Sequence, residues 1–158
     1  MADTRSQEQR TKIMQAVKGR DTGPEWIVRR LLHRAGYRYR LHDRRLPGRP
    51  DIVFPGRRKA ILVHGCFWHG HGCAKGRLPK SRLDYWGAKI AANQARDIRK
   101  QAELEALGWE ALVVWQCETG DATALEKSLW TFLGPPSKSD RQSPEDRLAL
   151  KKQDNNNQ

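Results

Sequence analysis

The sequence predicts an α/β fold in which a mixed central sheet is flanked by helices. Short runs rich in β-branched and other apolar residues, typical of buried strands, occur at 51–54, 59–63 and 109–115. A long helical pattern over 82–107 lies between the last two runs, and a helix in that place makes a crossover to a mixed or parallel pairing. The chain has 158 residues, 37% of them apolar, which suffices for one domain with a modest core.

The first forty residues predict two helices. An amphipathic pattern over 6–18 indicates a short helix with Met14 on its apolar side. Thr22 and Glu25 have the spacing of a capping box, and with Pro24 in the first turn they predict a second helix through Ala35. The residues of this helix expected to face the core are Trp26, Ile27, Leu31 and Leu32.

The strands come next in the chain. Tyr37, Tyr39 and Leu41 alternate with arginines, which predicts a strand with a basic outer face. The 51–54 strand turns back through Pro55 and Gly56, so that the 59–63 strand returns beside it. The long helix ends at Gly108, and a last helix is expected over 123–133, after the 109–115 strand.

Composition divides the chain into three parts. We expect an N-terminal helix region over 1–20, the folded domain over 21–134, and a disordered polar tail over 135–158. No signal peptide or long apolar run is present, and three cysteines are too few for a disulfide framework. These features predict a cytoplasmic protein that does not associate with membranes.

The net charge of +12 and the pI of about 10.1 indicate a polyanionic partner. No basic amphipathic membrane helix is evident, so nucleic acid is favoured over lipid. The alternative is a basic surface that serves only solubility.

The segment 63–73 contains three of the five histidines and two of the three cysteines. Such a loop is typical of a metal site, although a flexible histidine-rich surface loop has the same composition. The third cysteine, Cys117, follows the 109–115 strand, where a lone cysteine is usually an inert core thiol. Together, Cys66, Cys73, Cys117 and one histidine would complete a Cys3His site, the stoichiometry of structural zinc. His71 is the favoured fourth ligand because it lies in the same short loop as Cys66 and Cys73.

Asp51 directly follows Pro50 at the head of its strand, and the neighbouring strand ends at Val63 and His64. An aspartate in this position can simply be a turn or cap residue. The Pro-Asp pair, about a dozen residues before the end of the next strand, also resembles the layout of restriction-endonuclease-like nucleases. In those enzymes the aspartate holds magnesium. Their usual second carboxylate and lysine are absent here.

Several motifs together resemble the very-short-patch repair (Vsr) endonucleases. The segment His64-Gly-Cys-Phe-Trp-His69 is highly specific, and the resemblance runs from about residue 14 to residue 117 and beyond. The other residues that carry it are Asp51, His71, Cys73, Trp86, Trp115 and Cys117. The resemblance implies a restriction-endonuclease-like fold with a structural zinc site. It also implies nicking of double-stranded DNA 5′ to the thymine of a T:G mismatch left by deamination of 5-methylcytosine, which initiates very short patch repair.

The resemblance also implies roles in catalysis. Asp51 and the backbone carbonyl of Val63 would hold Mg²⁺, although other family members have threonine at position 63. His69 would act as general base and His64 would contact the phosphate. Glu25 would be an accessory member of the site, or only the capping-box partner of Thr22.

Recognition of DNA is expected to use aromatic residues. The resemblance implies that Phe67, Trp68 and Trp86 form a wedge in the major groove and that Met14 approaches through the minor groove. For Trp86 and Met14, packing in the core is the alternative. On the long helix, Lys89 and Asn93 share a face with Arg96, Asp97 and Lys100, which predicts DNA contact or a solvated charged face. The basic residues before Asp51 could bind phosphates or form a generic basic loop: Arg44, Arg45 and Arg49.

Three classes of function fit these residues. The first is a mismatch-directed nicking endonuclease with Zn²⁺ and Mg²⁺ as cofactors, and the second is a zinc-stabilised DNA-binding module without catalysis. The third is a restriction-type endonuclease that cuts both strands of paired DNA. The resemblance favours the first class and implies a monomer coupled to mismatch-repair factors. The sequence context of the mismatch is not encoded in any motif.

Overall fold

The computed structural model describes residues 21–137, together with Ser6 and Glu8. The helices are α1 (Gly23–Arg34), α2 (Leu83–Ala106) and α3 (Ala122–Leu133), and the strands are β1 (Arg40–Leu41), β2 (Ile52–Phe54), β3 (Lys59–His64) and β4 (Glu110–Trp115). Short 3-10 turns occupy Pro55–Arg57, Ala74–Gly76 and Gln116–Gly120. The helix expected over 6–18, with Met14, and most of the polar tail lie outside the described residues.

The four strands form one mixed sheet in the order β1-β2-β3-β4. The pairs β1/β2 and β2/β3 are antiparallel, whereas β3 and β4 are parallel along their whole length, from Lys59 opposite Glu110 to His64 opposite Trp115. Helix α2 makes the crossover that this parallel pair requires. The predicted mixed α/β architecture is therefore confirmed.

Helix α1 begins as the sequence predicts. Thr22 is the N-cap, and its hydroxyl accepts a hydrogen bond from the Glu25 N–H at 3.4 Å. The prediction that Trp26 faces the core is wrong, because Trp26 lies on the opposite side of α1 from the buried Val28 and Leu32 and is 48% exposed. The Arg29 guanidinium packs over its ring, 4.9 Å from the centroid.

Strand β1 is shorter than expected and begins only at Arg40. Its partner β2 ends at Phe54, where Pro55 starts a 3-10 turn, so residues before Tyr39 find no backbone partner in the sheet. Tyr37 and Tyr39 instead pack edge-on against Phe54, each with ring centroids 6.2 Å apart. The two tyrosines thus stabilise the core without belonging to a strand.

The main hydrophobic core lies between the sheet and helices α1 and α3. It contains Val28, Leu31, Leu32, Tyr37, Ile52, Phe54, Ile61, Val114, Leu125, Leu129 and Leu133. Ala60 and Leu62 alternate with Ile61 along β3 and are also buried, so both faces of this strand are covered. Within the described part of the chain, no helix is long and apolar enough to cross a membrane.

Candidate metal centres and nucleic-acid interface

A cleft of about 1010 Å³ opens where β3 ends. Its walls come from the start of α1, the loop between β1 and β2, the end of β3 and helix α2. The lining residues with ionisable or aromatic side chains are Glu25, His42, Arg44, Arg49, Asp51, His64, Trp68, His69, Arg96, Asp97 and Lys100. Predicted site residues from four separate segments therefore meet in one place.

Asp51 lies in this cleft beside the end of β3. The Val63 N–H donates a hydrogen bond to Asp51 Oδ2 at 2.7 Å, which confirms that Asp51 and Val63 are neighbours. Burial raises the pKa of Asp51 to about 6, and the nearby Glu25 carboxylate adds to this effect. A buried carboxylate whose ionisation is disfavoured, with a second carboxylate close by, fits a site for a hard cation such as Mg²⁺.

His64 and His69 form a stacked pair, with ring centroids 3.9 Å apart and an interplanar angle of 5°. His64 is buried against Trp115, the residue opposite it in β4. Burial, followed by the neighbouring His69, lowers the pKa of His64 to about 4. His64 is therefore a neutral hydrogen-bonding group at neutral pH.

Asp97 on α2 completes this group, since its Oδ2 lies 2.6 Å from His69 Nδ1. The sequence pattern predicts for Asp97 only a place on a charged helix face and gives no link to His69. The signal that could have found it is its spacing from Asn93, because residues four apart on a helix point the same way. The Asn93 side-chain amide donates to the Trp68 carbonyl at 2.9 Å, so it contacts the same loop.

Glu25 is both a cap residue and a member of the cleft. Its carboxylate is buried and accepts hydrogen bonds from the Asp21 N–H at 3.0 Å and from Arg29 at 2.9 Å. The contact with the N-cap residue Thr22 is between the two side chains, with Oγ1 and Oε1 3.4 Å apart, and the carboxylate accepts from the N–H of Asp21 rather than from that of Thr22 as in a capping box. Asp21, Arg29 and His42, which surround it, are residues that sequence analysis does not select.

The second candidate metal centre consists of the four residues expected to bind zinc: Cys66, His71, Cys73 and Cys117. One donor atom from each lies within 4.8 Å of all the others. The Cys117 N–H donates to Cys66 Sγ at 3.3 Å, and Cys117 Sγ lies 3.5 Å from His71 Nδ1. The Trp115 ring stacks on the His71 imidazole, with ring centroids 4.2 Å apart.

The pKa shifts of the Cys73 and Cys117 thiols fit a site for a soft divalent cation. The hydrogen bond from His71 lowers the pKa of Cys73 to about 6. Desolvation, together with the adjacent Cys66 and Cys73 thiols, raises the pKa of Cys117 to about 11. Crowded thiols cannot all ionise without a cation among them, and three thiolates with one imidazole are a donor set of structural zinc.

The loop that carries these ligands is held tightly. The His71 N–H donates to the Cys66 carbonyl at 2.9 Å, and the Gln94 side chain donates to the Gly70 carbonyl at 3.2 Å. A Cβ atom on Gly76 would lie 1.9 Å from the His71 carbonyl oxygen. Only glycine therefore fits at position 76.

Phe67, Trp68 and Trp86, here called the aromatic cluster, contact one another edge to face. Their ring centroids are 5.0 Å, 5.2 Å and 6.0 Å apart. The cluster is half-buried, so Phe67 and Trp68 are less exposed than the sequence suggests. The residues expected to form a wedge are thus adjacent, beside the cleft that Trp68 lines.

Basic residues line both walls of the cleft. Arg44 and Arg49 come from the loop before β2, and Arg96 and Lys100 come from α2. Arg45 differs from them because its guanidinium is bound to the Asp43 carboxylate by contacts of 3.0 Å and 2.9 Å. Lys89 lies further toward the start of α2, where it is half-buried and lines no part of the cleft.

A mixed α/β fold with a buried carboxylate, paired imidazoles and basic walls at the end of a strand is typical of nucleases. Residues 2–75 match the family model described as DNA mismatch endonuclease Vsr. The chain belongs to this Vsr family.

The relatives are similar over most of their lengths. Type II nicking enzyme V.XorIIP of Xanthomonas oryzae pv. oryzae is 60% identical over 135 residues, which cover 85% of this chain and 99% of that protein. Type II nicking enzyme V.NmeAIP of Neisseria meningitidis is 43% identical over 118 residues, 75% of this chain and 84% of that protein. DNA mismatch endonuclease Vsr of Escherichia coli is 43% identical over 117 residues, 74% of this chain and 75% of that protein.

Proposed function

We propose that this protein is a magnesium-dependent, strand-specific endonuclease of restriction-endonuclease-like fold. It nicks double-stranded DNA 5′ to the thymine of a T:G mismatch that arises from deamination of 5-methylcytosine, and so initiates very short patch repair. The observation that carries the proposal is the convergence of Asp51, His64 and His69 in one basic cleft beside the aromatic cluster. Membership of the Vsr family supports it.

In this proposal Asp51 and the backbone carbonyl of Val63 hold Mg²⁺. When bound, the ion polarises the scissile phosphate and acidifies a water molecule. The Val63 N–H fixes one oxygen of the Asp51 carboxylate, so Asp51 needs little reorganisation to receive a cation. The change from threonine to Val63 removes a hydroxyl but keeps the carbonyl.

His69 is suited to remove a proton from the attacking water. Ionised Asp97 has no proton to donate, so it accepts the Nδ1–H of His69 and leaves Nε2 as the basic nitrogen of a neutral ring. The stacked His64 contributes a neutral hydrogen-bonding group toward the phosphate. Glu25 acts as an accessory carboxylate, oriented by Arg29.

Zinc at Cys66, His71, Cys73 and Cys117 has a structural role in the proposal. Cys66 follows β3 and Cys117 follows β4, so the ion joins the ends of the two parallel strands. The loop between Cys66 and His71 includes Phe67, Trp68 and His69. Zinc therefore determines where both the general base and two aromatic residues lie.

The aromatic cluster would insert beside the mismatched pair, while Met14 approaches from the minor groove. Unstacking a base step costs a few kcal/mol and costs less where a mismatch has already weakened it. The Asn93 side-chain amide donates a hydrogen bond to the Trp68 backbone carbonyl, and Lys89 on the same helix would contact DNA. Arg44, Arg49, Arg96 and Lys100 would bind phosphates on either side of the cleft. We further propose that the protein acts as a monomer and cooperates with mismatch-repair factors.

The test is strand-specific cleavage of end-labelled duplexes that differ only in T:G or C:G at one position, in several flanking contexts, with Mg²⁺ or EDTA. We expect a magnesium-dependent nick 5′ to the mismatched thymine, and no nick with Asp51→Asn. Tight mismatch binding without any nick would instead indicate a zinc-stabilised DNA-binding module. Cutting of both strands in paired DNA would indicate a restriction-type endonuclease.

A further inference from the structure

The aromatic cluster continues onto the surface through Tyr85, at the start of α2. The Tyr85 ring packs edge-on against the Trp86 ring, with centroids 5.1 Å apart and an interplanar angle of 78°. Tyr85 is 41% exposed, and Leu83, two residues before it, is 54% exposed. The start of α2 therefore presents apolar side chains to solvent directly beside the cluster, as is typical of the margin of a binding surface.

The Arg82 guanidinium lies over this exposed tyrosine ring. Its central carbon is 4.8 Å from the centroid of Tyr85, a cation–π contact that restricts a long and flexible side chain. A guanidinium that packs by its flat face keeps its N–H donors available, because they lie in the plane of the group. Within residues 21–137, Arg82 forms no ion pair and no side-chain hydrogen bond, not even with Asp84 two residues away.

The charge around Arg82 suits a polyanion. Arg77 and Lys80 precede it in the same segment and are also exposed, whereas Asp84 is the only acidic residue between positions 74 and 96. Arg99, further along α2, differs from Arg82 because it lies 4.0 Å from the Glu103 carboxylate. The positive charge of Arg82 is thus left for a partner outside the described chain.

The backbone conformation of Arg82 is unfavourable for its residue type. Arg82 is the N-cap of α2, and its carbonyl accepts a hydrogen bond from the Trp86 N–H at 3.1 Å. Its φ of +55° and ψ of +44° are left-handed, which glycine or asparagine adopts more readily, and its side chain makes no capping hydrogen bond. The start of the helix therefore gives no reason for an arginine at this position.

The spacing of these side chains fits a phosphate of bound DNA. In the proposed complex, Trp86 lies in the major groove beside the mismatched pair, and phosphates line the edges of that groove, which is about 12 Å wide. The steps from Trp86 to Tyr85 and from Tyr85 to Arg82 are together shorter than this width. The planar fork of a guanidinium also matches two phosphate oxygens, which a lysine ammonium cannot do.

We propose that Arg82 binds a backbone phosphate beside the mismatched pair and that Tyr85 is its positioning residue. The inference rests on the proposed insertion of the aromatic cluster, because insertion of Trp86 is what brings the DNA strand to Arg82. The contact reads no base by itself. It still favours the mismatched duplex, since the cluster inserts there at lower cost.

The first test is the salt dependence of duplex binding, measured without added magnesium. For the T:G duplex, Arg82→Gln should lower the affinity about tenfold at low salt and reduce the slope of log K against log salt concentration by about one. The loss on the paired C:G duplex should be smaller. An unchanged slope in Arg82→Gln would overturn the phosphate contact, and equal losses on both duplexes would overturn its dependence on insertion.

Arg99→Gln is the matched control for this titration. It makes the same change of charge on the same helix, but Arg99 is paired with Glu103 and lines no part of the cleft. Its slope should remain that of the unmodified protein. A loss of slope equal to that of Arg82→Gln would mean that the duplex responds to net charge alone, which would also overturn the proposal.

The second test concerns Tyr85. Tyr85→Leu removes the ring and should lower affinity for the T:G duplex about two- to fivefold without changing the slope, because Arg82 keeps its charge. Tyr85→Phe, which keeps the ring, should bind like the unmodified protein. When Arg82 is already glutamine, Tyr85→Leu should cost almost nothing more. Full additivity of the two substitutions, in variants shown by thermal unfolding to be folded, would overturn the positioning role.

These results are distinguishable from those that test the proposed function. If the unmodified protein binds T:G and C:G duplexes equally and nicks neither, the proposed function fails, and with it the link to mismatch insertion. The slope of Arg82→Gln on either duplex then still decides whether Arg82 binds a phosphate.

Discussion

Asp51 shows the cost in stability of the proposed magnesium site. Burial raises the pKa of its carboxyl to about 6 from the ordinary 3.8, although the hydrogen bond from the Val63 N–H opposes this rise. Without a cation, the ionised form is disfavoured by desolvation. A bound divalent ion would remove that penalty, which fits the proposed role of Asp51 as a magnesium ligand.

The metal-free protein should therefore be stabilised by Asp51→Asn. Because the folded-state pKa is raised, the contribution of Asp51 is fully present below pH 3.8 and is lost as the pH rises through about 6. We expect Asp51→Asn to increase the free energy of unfolding by roughly 2–3 kcal/mol at pH 7.5 and hardly at all at pH 3.5. The measurement is urea unfolding without added magnesium at both pH values.

Asp43→Asn provides a contrast of opposite sign. The hydrogen bonds from Arg45 lower the pKa of Asp43, so its contribution is present at neutral pH and is lost as the pH falls through its folded-state pKa. This variant should lose stability at neutral pH. Equal pH dependence of the two variants would contradict the assignment for Asp51.

The pairing of Asp97 with His69 makes a second prediction at this scale. Asp97→Asn keeps the shape of the side chain but can donate to Nδ1, which favours the wrong tautomer of His69. We expect kcat for nicking to fall about 100-fold or more. Affinity for the mismatched duplex should stay within about threefold, because Asp97 is not proposed to contact DNA.

The control for this variant is Glu105→Gln, which removes an exposed carboxylate from the same helix. It changes the helix charge equally but lies outside the cleft. Single-turnover kinetics separate the chemical step from binding. A normal kcat in Asp97→Asn would remove Asp97 from the catalytic group.

At the scale of secondary-structure elements, the loop with the proposed zinc donors Cys66, His71 and Cys73 has no room for a side chain at Gly76. Gly76→Ala would place a Cβ atom 1.9 Å from the His71 carbonyl oxygen and 3.1 Å from that of Cys66, so the loop must open. We expect the variant to bind far less of the proposed zinc than the unmodified protein and to lose roughly 2 kcal/mol or more of stability, as for other severe steric changes. Zinc analysis and thermal unfolding of the purified variant give both quantities.

Gly72→Ala is the matched control, because a Cβ atom there meets nothing within 4 Å. It should bind zinc like the unmodified protein. Chelation of zinc should reproduce the effect of Gly76→Ala and abolish nicking. Full nicking activity in a folded protein shown by metal analysis to contain no zinc would refute the structural role.

Element boundaries were predictable where local chemistry sets them. Thr22 begins α1, and the long apolar run at 109–115 gives β4 to within one residue. Strand β1 and Trp26 were not predictable in this way. The length of β1 depends on where its partner β2 ends, and the exposure of Trp26 depends on which side of α1 meets the sheet.

For the candidate site, too, only some of the residues could be predicted from the sequence. The four residues of the candidate zinc site could be identified because their residue types are rare and three of them are close in sequence. Asp97, Arg29 and His42 could not be identified from residue type or spacing, because charged residues and histidine are common on surfaces. Asp97 reaches the cleft on α2 and His42 in the loop after β1, while Arg29 on α1 contacts the cleft residue Glu25.

For the whole molecule, the net charge of +12 can strengthen the proposed DNA binding only where the cationic side chains face the duplex. Arg44 lines the cleft, whereas the adjacent Arg45 is paired with Asp43 and lines no part of it. Arg44→Gln should weaken binding to all duplexes and reduce the slope of log K against log salt concentration by about one. Binding titrations from low to moderate salt measure this slope.

Arg45→Gln is the control for the same titration, with an identical change of net charge. Its slope should remain that of the unmodified protein. Equal effects of the two substitutions would mean that the duplex responds to net charge rather than to the cleft wall.

The order of residues between His64 and Cys73 has a practical consequence for redesign. Residues of the candidate active site, His64 and His69, alternate along this segment with Cys66 and His71, two of the proposed zinc donors. A substitution between them changes one side chain, but an inserted or deleted residue would reassign donors in both centres at once. A redesign of the proposed mismatch recognition should therefore keep the length of this segment fixed and vary Phe67 and Trp68 within it.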